Sequence, residues 1–494
     1  KLYAACAQAL ILGAFTSQSV LAQQDAAQTE LEEVVITGVR HSLKESIDRK
    51  RDSETILDAI IASDIGKMPD RNIAEAMQRI TGVTIDREDG EGTNITIRGL
   101  NENLNVTTIN GQTVTSAGNG RGIDFSSMPA SMVQAIEVYK TPMAKHVEGS
   151  IGGLVNLVTI RPLDVGRSSS SLFVEGVNTE LGEDTGPAFS LSYTTPITDT
   201  FGVAAAVSHE SRTTRTDSQT NWNWHEGFHP DTGESMGWYP ENYAVGSQQS
   251  DRERDSVIVN LQWQPADNIN LFFDTNYTRL EVEEEAHNFG GHLWGFNAAT
   301  VDLDSVVTNS SNTITEMDID RWFIDPSDEV LEESIDTLTF QLGGDIELDN
   351  LTLSAAVGYS KAETDKLTQR IYTIDHWYLN DDKHDGSYRI GSDRQFQYLP
   401  SGTEFYDPTV AINHPGDDPN KLAFGPLWRI PVDNTDTDTS FKFDAEYQLQ
   451  GNSFFRSVEA GTRWQKREKE TAIAEQHLAA WEIYINDFSL WWVA

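Results

Sequence analysis

The chain has 494 residues, and its 77 Asp and Glu outnumber its 36 Lys and Arg, which gives a formal net charge of −41. So acidic a chain argues against nucleic acid as a partner and disfavours polyanionic ligands on approach. Beyond the N-terminus no apolar run reaches the roughly 18 residues of a transmembrane helix. Membrane strands, which need only about 9–11 residues, are not excluded by that absence.

The first 22 residues have the pattern of a secretory signal peptide. Residues 9–15 are apolar, and Val20-Leu21-Ala22 resembles a cleavage site before Gln23. The single cysteine, Cys6, lies in this leader, and a lipoprotein alternative is weaker because the apolar stretch continues past it. The sequence therefore predicts export.

Residues 23–53 predict a segment that connects the leader to the first domain. Within it, residues 32–38 form a β-prone run with no hairpin partner nearby. Such a run is suited to adding as a strand to another protein's sheet. Residues 40–53 follow as a charged, helix-prone linker.

Residues 54–165 predict a compact α+β domain. A helix is expected to begin at Pro69-Asp70, with Asp70 as its cap and with Ile73, Met77 and Ile80 as a buried stripe. A tight hairpin is expected at Asn110-Gly111. The other expected elements are strands at 83–87, 93–98, 106–109, 135–139 and 154–159, a helical turn at 129–132 and a flexible tip at 116–122.

Residues 166–494 are predicted to form one strand-rich region. From Leu172 onward it repeats one unit, a pair of strands of alternating polarity joined by a short link. Strict alternation gives each strand one apolar and one polar face. Long polar loops, far beyond the usual connection of about 4–6 residues, are expected between the pairs, at 213–253, 284–333 and 365–437. Short links that alternate with long loops favour an outer-membrane β-barrel over a β-sandwich. The strands are expected at 171–178, 187–195, 202–212, 254–264, 269–283, 338–348, 351–359, 438–450 and 455–468.

Several motifs together resemble those of TonB-dependent outer-membrane receptors. They are Glu33-Val34-Val35-Ile36-Thr37-Gly38, Ile97-Arg98-Gly99, residues 124–130, Ile136-Glu137-Val138, and the run 148–159 with Glu148, Gly152 and Gly153. Residues 65–75 and 137–145 resemble more narrowly the branch of this family that scavenges oligosaccharides.

The resemblance implies a fold and a set of partners. Residues 32–38 would be the TonB box, in which Glu33, Val34, Val35, Ile36 and Thr37 bind TonB. Residues 54–165 would be an α+β plug domain inside a transmembrane antiparallel β-barrel of about 22 strands. The partners would be TonB with its inner-membrane energising complex, outer-membrane lipid, and a small-molecule or oligosaccharide ligand, with no cofactor.

The number of candidate strands falls short of that barrel. Nine are recognisable, and an open edge in lipid would leave backbone groups unsatisfied. The expectation is therefore an N-terminal fragment of an integral outer-membrane protein. Residues 470–494 do not alternate cleanly and receive no assignment.

No catalytic or firm metal-binding pattern is present, so an enzyme is not expected. A Gly-x-Ser-x-Gly elbow, a His-Glu-x-x-His motif and a cysteine pair are all missing. His225 and His229 have the spacing of helical metal ligands but fall in an expected loop. Asp433, Asp436 and Asp438 could bind calcium through their oxygens, although an ordinary solvated loop is the favoured interpretation.

Aromatic residues in the expected outer loops suggest a sugar platform. Flat rings can stack on pyranose faces while polar neighbours bind hydroxyls; interfacial girdle or loop packing is the alternative. Asn119 and Arg121, at the plug tip, are expected to face the same ligand. The sequence favours energised import of an oligosaccharide, with a ferric siderophore or cobalamin receptor, a signalling transducer or a passive porin as alternatives. The aromatic candidates are Trp222, Trp224, Trp238, Tyr239 and Trp294.

Overall fold

The computed structural model describes residues 44–61, 72–88, 90–116, 118, 120–128, 133–182, 184–293, 296, 300–320, 323–324, 327–375, 386–390, 396–400, 422–449 and 455–478. The expected signal peptide, the run 32–38, the turn 129–132, Asn119 and Trp294 lie outside these residues. None of the helices in the described part is long and apolar enough to span a membrane.

The N-terminal domain is α+β, as the sequence predicts. Its central sheet has the order β1-β6-β7-β4-β5, with β4 and β7 parallel, while β2 and β3 form a separate hairpin. Its elements are α1 (44–52), β1 (Leu57–Ile61), α2 (Ile73–Met77), β2 (Val83–Glu88), β3 (Glu91–Ile97), β4 (Asn105–Ile109), β5 (Gln112–Thr113), β6 (Ala135–Tyr139), β7 (Gly153–Val158) and α3 (Pro162–Val165).

Helix α2 is capped by Asn72, whereas Asp70, the expected cap, lies outside the described residues. The Asn72 Oδ1 accepts a hydrogen bond from the Glu75 backbone N–H at 3.1 Å, which satisfies a donor of the first turn. Its Nδ2 donates to the Gly92 carbonyl at 2.7 Å, so β3 holds the cap in place. The expected burial is confirmed, since Ile73, Met77 and Ile80 all lie in the domain core. Ile80, however, follows the end of α2 at Met77 and is not part of the helix.

The hairpin at Asn110-Gly111 is confirmed. Both residues have positive φ, 49° and 80°, as a two-residue turn between antiparallel strands requires. The turn joins β4 to β5 and so directs Gln112 and Thr113 away from the domain core, toward the large sheet described next.

The second half of the described chain is dominated by one antiparallel sheet. Its path is β8-β9-β10-β11-β12-β16-β17-β20-β21, and each expected strand overlaps one of these nine. Neighbours along the chain pair through short links, such as Asp349-Asn350 between β16 and β17. The strands are β8 (Ser169–Thr179), β9 (Asp184–Thr198), β10 (Phe201–Phe228), β11 (Ser235–Ala266), β12 (Ile269–His292), β16 (Ser327–Leu348), β17 (Leu351–Asp375), β20 (Leu422–Gln448) and β21 (Ser457–Ile473).

This sheet has the reverse of a soluble protein's polarity. On β16 the polar side chains of Thr337, Thr339 and Gln341 are buried, whereas Leu338 and Leu342 between them are exposed. The N-terminal domain covers the polar face, and the exposed face is apolar in the part of the strands near the short links. A wall with lipid on one side and a filled lumen on the other has this arrangement.

The prediction of long loops is largely wrong, because the strands continue through much of these intervals. β10 and β11 remain paired from Phe201 to Phe228, so the interval 213–253 is a long hairpin with a tip at 229–234. Hydrophobic alternation stops where both faces are polar, but the backbone ladder continues. A second sheet, β13-β14-β18-β19, occupies parts of the other two intervals. The strands of this second sheet are β13 (Val301–Thr308), β14 (Ile314–Ile319), β18 (Gly386–Ile390) and β19 (Phe396–Pro400). Two short strands pair with the large sheet instead: β15 (Phe323–Ile324) with β12, and β22 (Gln476–Leu478) with β20.

Candidate functional site

One face of the β10–β11 hairpin lies against the N-terminal domain; we call it the inner face. It carries the even-numbered residues of both strands, because directly paired residues such as Arg212 and Arg252 share a face. Ile258 on this face packs into the hydrophobic core of the N-terminal domain. Gln262 accepts a hydrogen bond from the Leu163 backbone N–H at 2.9 Å.

A buried ion cluster joins the N-terminal domain to the inner face. The Glu91 carboxylate accepts a 2.5 Å hydrogen bond from Arg254 and lies 3.5 Å from both Arg212 and Arg252. The Asn72 amide also donates to it at 3.2 Å. Burial alone would raise the pKa of Glu91, but the three guanidinium groups outweigh that effect, and the pKa is lowered. Glu91 is therefore held as a carboxylate.

A second buried contact lies at the exit from the N-terminal domain. Both terminal nitrogens of Arg161 donate to the Asp274 carboxylate, one of them at 2.8 Å. Asn110 donates to the same carboxylate at 2.8 Å, so the β4–β5 turn is fixed to β12 at this point. Arg161 also lies 4.4 Å from the centre of the Phe272 ring, a cation–π arrangement.

The aspartates that were candidates for calcium instead hold the tip of the N-terminal domain. Asp438 accepts a hydrogen bond from the Gln112 amide at 3.0 Å, and Asp436 accepts one from the Ser116 backbone N–H at 3.1 Å. Arg467 donates to Asp436 through two nitrogens. Asp433 is exposed on the opposite face of β20, as its odd number requires. The calcium interpretation is wrong. The interpretation of these aspartates as part of a solvated loop is also wrong, because Asp436 and Asp438 are buried in a strand.

Lys469 of β21 is enclosed by backbone carbonyls of the tip. Its ammonium donates to Ser116 O at 3.2 Å, to Gly120 O at 2.7 Å and to Gly118 O. Three carbonyls around one ammonium satisfy all its donors. Lys469 therefore fixes the tip to the wall, a role that the sequence pattern did not indicate.

The tryptophans expected to contact sugar fall on the inner face. Trp222 pairs with Asn242, Trp224 with Pro240 and Glu226 with Trp238, in a register that is unbroken from Arg212. Their rings are 40–43% exposed. We call these three residues the tryptophan face. It lies ten or more residues beyond Arg212 along β10, a distance of about 33 Å.

Tyr239 is placed differently from the tryptophans. It lies on the other face of β11, only 4% exposed, in a hydrophobic cluster with Tyr243, Ile314 and Met317. Its role in the structure is to pack the second sheet against the β10–β11 hairpin. Tyr239 is therefore not placed to contact a ligand beside the tryptophans.

The two histidines with metal-ligand spacing are not brought together. The His225 ring bonds Glu241 at 3.0 Å from within β10, while His229 Nδ1 accepts a hydrogen bond from the Asp231 backbone N–H at 3.2 Å in the tip. Among the residues that the structure describes, no group of three or more His, Cys, Asp or Glu is arranged to hold a metal ion.

The motif residues of the N-terminal domain have structural explanations. Arg98 and Gly99 form a turn with positive φ after β3. A Cβ on Gly152 would come 2.2 Å from Asn105 Oδ1, and one on Gly153 would come 2.8 Å from Ile97, so neither position tolerates a side chain without rearrangement. Glu148, a further motif residue, is exposed, and so is Arg121, the candidate ligand contact at the tip, whose guanidinium lies against Gly149.

Glu137 connects the central sheet to helix α1. Its carboxylate accepts hydrogen bonds from Arg49 of α1 at 2.9 Å, from the Tyr139 hydroxyl at 3.1 Å and from Asn156 at 3.1 Å. Asp58 adds a second contact, with Lys50 at 2.5 Å. The helix that follows the expected TonB box is thus attached to β1 and β6.

Residues 49–154 match the family model described as TonB-dependent Receptor Plug Domain. The N-terminal domain is thus similar to the plug domains of TonB-dependent receptors, and we call it the plug. It contains the Glu91, Asn110 and Ser116 contacts to the sheet. Because plugs of this family belong to outer-membrane receptors, the match also supports the outer-membrane localisation that the sequence predicts.

Solved structures of receptors give weak overall likenesses. A mutant of the ferric enterobactin receptor PfeA from Pseudomonas aeruginosa, in complex with enterobactin, has 10% identity and a TM-score of 0.35 over 85% of this chain and 72% of that chain. The unliganded ferric citrate transporter FecA has 12% identity and a TM-score of 0.31, over 86% and 75%. The siderophore receptor PirA from Pseudomonas aeruginosa has 13% identity and a TM-score of 0.28, over 84% and 86%. Scores this low support no conclusion about the ligand of this chain.

Proposed function

We propose that the chain is a TonB-dependent importer of the outer membrane and that its ligand is an oligosaccharide. The observation that carries the transport function is the plug, held against the polar face of a sheet whose other face is apolar near the short links. A passive porin needs no domain attached to its wall by buried ion pairs.

The proposed energising path runs from the TonB box, residues 32–38, into the plug. TonB adds to the box as a strand, and force then reaches the plug through α1. The Arg49–Glu137 and Lys50–Asp58 ion pairs join α1 to β6 and β1. β1 pairs only with β6 among the described strands, so it is the part of the sheet nearest to the applied force.

The tryptophan face supports an oligosaccharide as the ligand. Its rings are accessible, and they lie on the same side of the hairpin as the plug, so a ligand stacked there is on the route to the lumen. Asn242 and Glu226 lie beside the rings and can bind sugar hydroxyls. Arg121, exposed on the plug, is a proposed second contact.

Deletion of residues 32–38 tests the transport mechanism. We expect the deletion to abolish uptake of the ligand by cells and to leave surface binding unchanged. A deletion of equal length at 24–30, in the same connecting segment, is the control and should transport normally. Uptake that persists without 32–38 would refute the mechanism. A ferric siderophore or cobalamin, tested in the same assay, would reveal a different ligand on the same mechanism.

A further inference from the structure

The inner face of the β10–β11 hairpin carries no charge between the arginine cluster and the tryptophan face. On β10 it presents Thr214, Thr216, Ser218 and Thr220, and their partners on β11 are also uncharged. We call these residues, together with their β11 partners, the neutral track. Thr216, Ser218 and Thr220 are exposed, so the track is accessible.

The neutral track contrasts with its surroundings. Residues 166–494 hold 56 Asp and Glu against 21 Lys and Arg. The opposite face of the same hairpin is charged over the same length, with Arg215 and Asp217 on β10 and Asp251 on β11. Between Arg212 and Trp222 the inner-face residues of β10 and β11 carry no charge, and they present hydroxyl and amide groups instead. The carboxylate of Glu284 on β12 borders the track at its Arg212 end, where Gln248 and Ser250 donate hydrogen bonds to it at 3.0 and 3.2 Å.

We propose that the neutral track is a binding site for an extended, uncharged oligosaccharide, one end of which stacks on the tryptophan face. This inference rests on the proposed function and specifies its substrate class. Hydroxyl and amide side chains exchange hydrogen bonds with sugar hydroxyls, and the aromatic rings bind an apolar sugar face. An anionic ligand finds no cation on the track between Arg212 and Trp222.

The length of the track implies selection for chain length. About ten residues of strand separate Trp222 from Arg212, which corresponds to roughly 33 Å. A single sugar can contact only the tryptophan face, whereas a chain of several units can also contact Thr220, Ser218 and Thr216. Affinity should therefore increase with the number of units until the track is covered.

The first experiment measures binding of the full chain in detergent by calorimetry. The probes are neutral gluco- and xylo-oligosaccharides of increasing length, an oligogalacturonate as acidic counterpart, and a ferric catecholate. We expect a neutral series to bind most tightly and to gain affinity with length. Tighter binding of a charged probe, absence of any length effect, or no binding by any neutral series would overturn the inference.

Two arginine substitutions on adjacent residues then locate the site. Ser218→Arg places a large side chain on the track, and Gln219→Arg places the same side chain on the opposite face at the same height. Ser218→Arg should remove the affinity gained with length, and short sugars should bind as before; Gln219→Arg should change neither. Equal effects of both variants would overturn the inference.

The tryptophan face has its own prediction within this scheme. Trp222→Ala should weaken binding of both short and long sugars by about tenfold or more, as for buried aromatic contacts in other interfaces. Deletion of residues 32–38 distinguishes failure of the proposed transport function from failure of the neutral track. If uptake depends on residues 32–38 but the ligand is charged, the transport function stands and the neutral track is refuted.

Discussion

Glu91 of the plug accepts a 2.5 Å hydrogen bond from Arg254 of the sheet, and both side chains are almost completely buried. Two further arginines lie 3.5 Å from the same carboxylate. The anion lies on the plug and the cations lie on the wall. If plug and wall separate here, these charges must become exposed to solvent or remain buried without a partner.

Substitution of Glu91 tests the contribution of this cluster. Glu91→Gln keeps the shape of the side chain but removes the charge that balances the arginines, and we expect it to destabilise the plug–wall contact by about 3–5 kcal/mol. Chemical denaturation measures the loss. Glu281→Gln is the control, because Glu281 pairs with Arg279 in an exposed position where an ion pair contributes about 0–1 kcal/mol. Equal losses in the two variants would contradict a special role for Glu91.

The same carboxylate predicts an acid-sensitive plug. Its pKa is lowered in the folded protein from an ordinary value of 4.5. The ionised form therefore stabilises the folded state fully above about pH 4.5, and the stabilisation is lost as the pH falls through the lowered pKa. Burial also opposes ionisation of Asp58, but Lys140 and Lys50 outweigh it, and the pKa of Asp58 is lowered in the same direction.

Thermal unfolding measured from pH 7 down to about pH 3 checks this prediction. The stability difference between the unmodified protein and Glu91→Gln should stay constant above about pH 4.5 and shrink below it. A difference that grows as the pH falls would mean that the sign of the effect is wrong.

Lys469 predicts a local effect on the plug tip. Lys469→Met removes the donor to three carbonyls, including Gly120 O, and hydrogen bonds to charged groups contribute about 1.5–3 kcal/mol each. Amide exchange at Ser116 and Gly122 should accelerate about tenfold or more. Lys466→Met, on the opposite face of the same strand, should leave these rates unchanged, since Lys466 pairs with Glu468 at the surface.

The core of the plug predicts a large packing effect at Met77. This side chain is fully buried, and Met77→Ala should cost about 2–5 kcal/mol of unfolding free energy, because it leaves a cavity. Ile151→Ala removes an apolar side chain that is 71% exposed and should cost little. Comparable losses would mean that α2 is not packed as described.

The sequence predicts the parts of this fold in which the local residue pattern matches the surroundings of the folded chain. The alternation of polar and apolar residues predicted every strand of the large sheet near the short links. The Asn110-Gly111 pair predicted the turn between β4 and β5. The sequence did not predict the strand ends beyond the apolar band. There both faces of a strand carry polar residues, as Thr216 and Gln219 do on the two faces of β10. Hydrogen bonding extends those strands with no signal in hydrophobicity.

The contacts of the plug could not be predicted in the same way. Asp436 and Asp438 read as a solvated loop, yet they bind Ser116 and Gln112 more than 300 residues earlier in the chain. The Asn72 cap is held by the Gly92 carbonyl of β3, twenty residues later in the chain. Long-range partners of polar residues leave no periodic pattern in the sequence.

The central claim is that the sheet is a wall with lipid on one face and the plug on the other. Spin labels placed one at a time on residues 337–342 of the protein in lipid bilayers test it, after Cys6, the single cysteine, is replaced by Ser. We predict that labels at 338, 340 and 342 collide with oxygen dissolved in the lipid, and that labels at 337, 339 and 341 are shielded. Uniform accessibility, or access of a water-soluble relaxant to the even positions, would contradict the account.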